Sequence, residues 1–283
     1  MSNVIACIDG SSATPAVCDY AAWSSQRMSA PLVLLHVLDD EIYPTQQNLS
    51  GNIGLGARES LLNELAELDE KRNRLALEQG RLMLDEALER VQAAGIDSAE
   101  KRQRHGALLD TLLGWQEQTR LLVMGKQGEQ GDSLGEHIGT HIENVVRSVH
   151  RPVLVTTPDY VEPRRIMIAY DGSDTTRKCV EMVAASPLFK DLPCHLVMIG
   201  DDNPAHRKQL EWAQQTLQTA GFEAPTHIEA GDVEDILCAY RKQHEIDMIV
   251  MGAYGHSRIR QFFVGSTTAN VVRHANVPVL LLR

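Results

Sequence analysis

The sequence predicts an α/β protein made of two tandem open five-stranded parallel sheets with helices on both faces. Three observations carry this: the chain repeats itself, short apolar runs alternate with helix-period segments, and some of those runs are apolar without interruption. Val4–Ser11 (VIACIDGS) matches Ile166–Ser173 (IMIAYDGS) at an offset of 162 residues, and Asp39-Asp40 matches Asp201-Asp202 at the same offset. Ala94-Gly95-Ile96 matches Ala220-Gly221-Phe222, Asn144–Arg147 matches Asn270–Arg273, and Arg151–Val155 matches Val277–Leu281, all at an offset of 126. The drop of 36 residues between the two offsets places an insertion in the first half, about residues 41–80.

Taken in order, Val4–Ile8 opens the first half as a strand, and a second apolar run closes at Asp39-Asp40. The insertion follows. Asn48–Gly56, with three glycines, reads as a mobile flap, and Arg58–Val91 is rich in Leu, Glu and Arg. There Leu61, Leu65, Leu68, Leu75 and Leu82 form a helical stripe. Unbroken, the segment would be ~50 Å long at 1.5 Å per residue, so Gly80 is expected to divide it into two helices. The stripe is expected to pack on its own domain, with a partner-docking surface as the alternative. Leu121–Met124 and Arg151–Val155 supply later strands, and Thr157–Pro163, with two prolines, is the linker. The domains are accordingly 1–158 and 163–283.

In the second half strands are expected near 165–170, 194–199, 226–230, 247–251 and 277–282, and helices near 174–186, 204–220, 232–244 and 265–275. Met248–Met251 is wholly apolar, as a strand covered on both faces requires. The terminal strands 152–156 and 277–282 are apolar edges that can pair across a pseudo-two-fold axis within one chain. Association of two chains is left open, with the helical insertion as the place to look.

Composition narrows the function. A net charge of −11 argues against a duplex-DNA reader, which needs clustered cations. No apolar run approaches the ~20 residues of a membrane span, and Met1–Asn3 leads into a strand without a signal pattern. Cytoplasm is the expected compartment. The five cysteines are scattered, without a CxxC pair, and read as reduced packing residues, Cys7 and Cys179 included.

In such sheets ligands bind beyond the carboxyl ends of the strands, where strand order reverses. After the fourth strand of the second half come Gly252-Ala253-Tyr254-Gly255, nine residues, and Gly265-Ser266-Thr267 opening a helix. Glycines let backbone N–H groups approach phosphate, and hydroxyls at a helix N-terminus add donors where the dipole favours an anion. Glycines in these places also serve tight turns, and Asp9 and Asp171 also read as turn or helix-capping residues.

This G-x2-G-x9-G-[ST] spacing after a buried strand, with Asp-Gly-Ser after the first strand, resembles the ATP-binding signature of the universal stress protein (UspA-like) family. The duplication resembles its tandem members. The resemblance implies an adenine nucleotide alpha-hydrolase-like, Rossmann-like fold holding ATP, ADP or AMP, with any Mg²⁺ brought by the nucleotide. Carried over residue by residue, it places Asp171 and Ile199 at the adenine and Met251 beside the nucleotide. Gly252, Gly255, Gly265, Ser266 and Thr267 then surround ribose and phosphates, with His256 and Arg258 in the same basic loop. The first-half counterparts are Asp9, Val37, Met124, Gly125, Gly128, Gly139 and Thr140, with one residue too many between the glycine pairs. That loop holds Glu129, Asp132 and Glu136 where the second half has His256, Arg258 and Arg260. At ~4–5 Å and an effective dielectric of ~20, each charge facing a phosphate changes the energy by ~3–4 kcal/mol before screening. The second half is therefore the expected nucleotide site and the first a weaker one.

His36, His105, His137, His141 and His150 lack metal-ligand spacing, and no protein metal site is expected. No nucleophile–base–orienter set stands out, so hydrolysis is expected to be slow at most. The function this implies is a nucleotide-gated stress-response regulator acting through unidentified protein partners. A scaffold that does not bind nucleotide is the alternative.

Overall fold

A computed structural model describes residues 2–38, 55–126, 140–253 and 266–283, with backbone alone at 55–63, 140–141 and 266–267. The first half runs β1 (Asn3–Cys7), α1 (Thr14–Met28), β2 (Leu32–Leu38), α2 (Leu55–Ala93), β3 (Ala99–His105), α3 (Leu108–Gly114), β4 (Thr119–Gly125), α4 (Thr140–Ser148) and β5 (Val153–Thr156). The second runs β6 (Ile166–Tyr170), α5 (Asp174–Ala185), β7 (Cys194–Ile199), α6 (Pro204–Thr219), β8 (Thr226–Glu229), α7 (Val233–Gln243), β9 (Met248–Gly252), α8 (Ser266–His274) and β10 (Val279–Leu282). Every strand and helix expected in the second half is present, within two residues of its anticipated ends.

The ten strands form one sheet in the order β3-β2-β1-β4-β5-β10-β9-β6-β7-β8. Pairing is parallel inside each half. Between halves it is antiparallel, with Val279 opposite Val155, Leu280 opposite Leu154 and Leu281 opposite Val153. The terminal edges thus meet within the chain, as the sequence suggested.

Apolar side chains leave both faces of the sheet. One core joins it to α1, α2, α5 and α6 through residues such as Tyr20, Leu34, Leu84, Phe189 and Leu217. The other joins it to α3, α4, α7 and α8 through Leu112, Val145, Leu237, Val272 and Ile249. This two-sided burial is why the central strands carry uninterrupted apolar runs. The outermost strands differ: β3 reads AEKRQRH and is largely exposed, so charged side chains guard that edge.

Helix starts follow local chemistry. Ser173 caps α5 by accepting from Thr176 N (3.3 Å), Asn203 caps α6 from His206 N (2.9 Å), and Asp232 caps α7 from Glu234 N (2.9 Å) and Asp235 N (3.2 Å). Side chains also cross between halves. Lys126, following β4, donates to the carbonyls of Arg273 and Ala275 at the end of α8, and Arg283, following β10, donates to Arg147 O in α4. Each cation therefore sits at the negative end of a helix dipole in the other half. Arg27 in α1 donates to the carbonyls of Leu188 and Lys190, and Tyr20 Oη accepts from Val161 N (3.2 Å), fastening the linker.

The insertion departs from expectation in two respects. Gly80 does not divide it: α2 is a continuous helix of 39 residues, ~58 Å at 1.5 Å per residue. Gly80 is instead a contact residue. A Cβ there would lie 2.4 Å from Gln103 Nε2 and 2.5 Å from His36 Cδ2, so the missing side chain lets α2 approach β2 and β3. Nor do Leu68, Leu75 and Leu82 of the leucine stripe pack on their own domain. Ala76, Gly80, Leu84, Ala87 and Val91 form the buried face, while Leu68, Leu75 and Leu82 stay exposed. Of the flap expected at 48–56, residues 55 and 56 belong instead to the first turn of α2, and 48–54 lie outside the described residues.

His36 cannot easily yield, being buried and bonded through Nδ1 to Ile8 O (2.8 Å). Gly80→Val is expected to destabilise the protein by ~1–3 kcal/mol in a denaturant melt, the usual range for overpacking, although valine is the better helix former.

Candidate functional site

Each half has the strand order 3-2-1-4-5 in its own numbering, so order reverses between β1 and β4 and again between β6 and β9. A crevice beyond the carboxyl ends of those strands is where this architecture accepts ligands. In the second half Asp171-Gly172 follows β6, Ile199 ends β7, and Met251-Gly252 ends β9. In the first half Asp9-Gly10 follows β1, Val37 lies near the end of β2, and Met124-Gly125 ends β4. Because β5 and β10 pair antiparallel, the two crevices open on opposite edges of the sheet.

The Asp-Gly-Ser turns are built alike. Asp171 Oδ1 accepts from Ser173 N (2.9 Å) and Thr176 Oγ1 (2.7 Å). Asp9 Oδ1 accepts from Ser11 N (3.0 Å), Ser11 Oγ (2.7 Å) and Thr14 Oγ1 (3.1 Å). Both carboxylates thus organise a turn that delivers the chain into a helix. Gly172 (φ +75°) and Gly10 (φ +73°) occupy the left-handed conformation that this turn requires.

Gly252 joins the same cluster. A Cβ on it would come within 2.9 Å of Thr175 Cγ2 and 3.3 Å of Thr176 Cγ2, so β9 ends in close contact with the first turn of α5. Thr176 links the two strand ends, bonding Asp171 while touching Gly252. Met251 is 6% exposed and belongs to the apolar core behind the crevice, and Ile199 is half-buried.

The halves differ at one wall of the crevice. In the second half the Gln209 amide lies over Gly172, its Oε1 2.3 Å from where a Cβ would stand, and that oxygen is buried without a hydrogen-bond partner among the described residues. At the duplicated position the first half has Met83, whose Cε lies 2.5 Å from a Cβ on Gly10. A polar acceptor borders one crevice and a thioether the other. Sequence spacing did not single out Gln209, Thr175 or Thr176; aligning the two halves at the 126-residue offset would have paired Gln209 with Met83.

Gly255, His256, Arg258 and Gly265 in the second half, and Gly128 and Gly139 in the first, lie outside the described residues, as do Glu129, Asp132, Glu136 and Arg260. Ser266 and Thr267 open α8 and Thr140 opens α4, each described as backbone only.

Burial, reinforced by the neighbouring aspartates, pushes the thiols of Cys7 and Cys179 up to about 12, so both stay protonated and weakly nucleophilic near neutrality. Among the described residues no three His, Cys, Asp or Glu side chains converge as metal ligands.

A second feature, at the amino ends of β7 and β8, was not anticipated. A cleft of about 620 Å³ is lined by rings: Tyr240 stacks on His244 (4.1 Å between centroids), lies 4.9 Å from His227, and bonds through its hydroxyl to His195 Nδ1 (2.9 Å). Its residues come from α7 and two separate strands, so no local spacing announced it. Burial, then the His244 and Arg165 charges, hold the His195 pKa below its usual value. The unfolded chain therefore takes up this proton first as pH falls, and His195 stabilises the fold above about pH 6.5, an effect lost on acidification. Melting temperatures of the protein and of His195→Asn should accordingly differ less at pH 5 than at pH 7.5.

Comparison with known proteins agrees with this architecture. The model of the universal stress protein family matches residues 1–157 and again 162–283. The universal stress protein Slr1230 of Synechocystis sp. is 35% identical over 287 residues, covering 100% of both chains. Among solved structures, a universal stress protein from Archaeoglobus fulgidus superposes with a TM-score of 0.72 at 21% identity, covering 99% of this chain and 98% of its own. A putative universal stress protein from Pseudomonas aeruginosa gives 0.60 at 15% identity, covering 100% of this chain and 93% of its own. Two successive matches to one family model, and a full-length relative sharing a third of its residues, lead to one conclusion: the chain belongs to the universal stress protein family, with two of the family's domains in tandem.

Proposed function

We propose that the chain is a nucleotide-gated regulator that binds one adenine nucleotide, ATP or its products ADP and AMP, in the crevice of the second half. The observation that carries this reading is the contrast between Gln209 and Met83 over the two Asp-Gly turns. A buried amide oxygen without a partner costs ~1–3 kcal/mol, and an exocyclic purine amine is a donor that would relieve it. The thioether of Met83 offers no comparable acceptor.

The remaining chemistry suits an anion. Helices α5 and α8 begin beside the ends of β6 and β9, and their positive dipole ends favour phosphate. Gly252 keeps the strand end free of side-chain bulk, and the sequence of the following loop adds His256, Arg258 and Arg260, a charge pattern that favours phosphate over the acidic loop of the first half. Any Mg²⁺ would arrive with the nucleotide. Binding without rapid turnover suits a switch, in which bound nucleotide alters the surface offered to a protein partner. The proposed compartment is the cytoplasm, where such nucleotides are abundant. Among the described residues no helix is long and apolar enough to cross a membrane.

Calorimetric titration of nucleotide-stripped protein with Mg-ATP is expected to give one site per chain. Two equivalents of similar affinity, or no heat and no thermal shift at millimolar ATP, would overturn the reading. Gln209→Met, which installs the first-half residue, should weaken binding about tenfold while leaving the apo melting temperature within a few degrees, one lost hydrogen bond being worth ~1.4 kcal/mol in that case. Asp171→Asn keeps an acceptor for the turn, so it separates a role in binding from a role in folding: lost affinity at unchanged apo stability indicates the former.

A further inference from the structure

The long helix α2 carries an apolar seam that no described residue of its own chain covers. Among the described residues five large hydrophobic side chains are exposed, and four belong to this helix: Leu68 (62%), Leu75 (54%), Leu77 (39%) and Leu82 (58%). The arm arises from the insertion. At the 126-residue offset, the first residue of α6 corresponds to Glu78, whereas α2 begins at Leu55. Ala76 is its first buried residue among those whose side chains are described. Leu68, Leu75 and Leu82 recur every seven residues, and at ~100° per residue they lie ~135° around the helix from the docked face of Ala76, Gly80, Leu84 and Ala87. Leu65, half-buried, stands three residues before Leu68 and extends the seam toward the N-terminus. Such spacing suits packing against another helix.

We infer that this seam is the docking surface for a second copy of the chain, the two α2 helices packing antiparallel. The charges beside the seam select that occupant. Glu64, Lys71 and Glu78 are exposed and follow one another at seven-residue intervals along one flank. Among the described residues Lys71 and Glu78 form no ion pair within their own chain. With a two-fold axis near residues 73–74, Leu65 meets Leu82 of the second copy and Lys71 faces its Glu78, and symmetry repeats both contacts. Sliding the pair by one heptad in either direction sets Lys71 against Lys71 or Glu78 against Glu78. Parallel pairing would set Arg72 against Arg72 in the seam. The remaining acidic approach, Glu64 to the second copy's Asp85, is softened because Asp85 is held by Lys101 and Arg81 of its own chain. The paired stretch, residues 65–82, is ~27 Å long. This docking needs no nucleotide and is independent of the reading above.

Sedimentation of the full chain from below 1 μM to about 100 μM tests it. A reversible dimer is expected, converted to monomer by Leu68→Glu/Leu75→Glu/Leu82→Glu with an unchanged far-UV spectrum and melting temperature, because these side chains touch no core. Lys71→Glu and Glu78→Lys should each weaken the dimer by about tenfold or more. An equimolar mixture of those two single variants should dimerise again, since each reversal then meets its complement. A chain that stays monomeric throughout overturns the inference. So does a dimer that survives the triple leucine change, or a mixture no tighter than either charge variant alone. If the leucine changes alter the helix itself, the mixing experiment decides alone, because surface charge reversals leave the fold intact.

Discussion

The short antiparallel ladder between β5 and β10 is the contact on which the molecule's architecture rests. Three pairs of buried aliphatic residues turn two open sheets into one, and each terminal strand gains the partner that it would otherwise seek elsewhere. The ladder also sets the polarity of the two halves. Carboxyl ends of strands in one half lie beside amino ends in the other, so Lys126 and Arg283 find helix C-termini across the junction. Backbone pairing, apolar burial and dipole capping act at the same seam, and the crevices face away from one another as a result.

Within that frame the halves have diverged at the walls of their crevices. The Asp-Gly turns share their geometry, yet one is roofed by an amide and the other by a thioether. The same helix pair diverges one turn earlier, where Gly80 in α2 corresponds to His206 in α6. Gly80 admits the His36 ring and the Gln103 side chain, and this lets α2 lie close on its sheet. His206 instead reaches back to Asp201 O (2.7 Å) and covers the turn at Gly200. The duplicated positions keep the scaffold while their side chains adapt each crevice separately.

Much of this was legible in the sequence because the physics is local or periodic. Uninterrupted apolar runs mark β1, β4, β6 and β9, and the repeat offsets align the two halves. Strand β3 left no such mark, since AEKRQRH lies at an edge and has no apolar period. Only its counterpart in the second half points to it. The error at Gly80 has a physical origin: helix propensity argues for a break, but tertiary approach to His36 and Gln103 outweighed it. The leucine stripe was recognised as helical, but periodicity alone did not reveal which face the domain would bury. The smaller residues Ala76, Gly80 and Ala87 won, because small side chains let a helix lie close to a sheet. The ring-lined cleft around Tyr240 escaped notice because its parts are distant in sequence.

The covalent link between the halves has a consequence of another kind. Two identical subunits joined through this ladder would dissociate on dilution and would display every substitution twice. Here Tyr20 and Arg27 anchor the linker and the second half to the first, so their association is intramolecular and insensitive to concentration. A change on one side of the ladder appears once, and its compensation can arise on the other side alone. Fusion therefore releases each half from self-complementarity, and two sites of different character can evolve without weakening the joint that carries them.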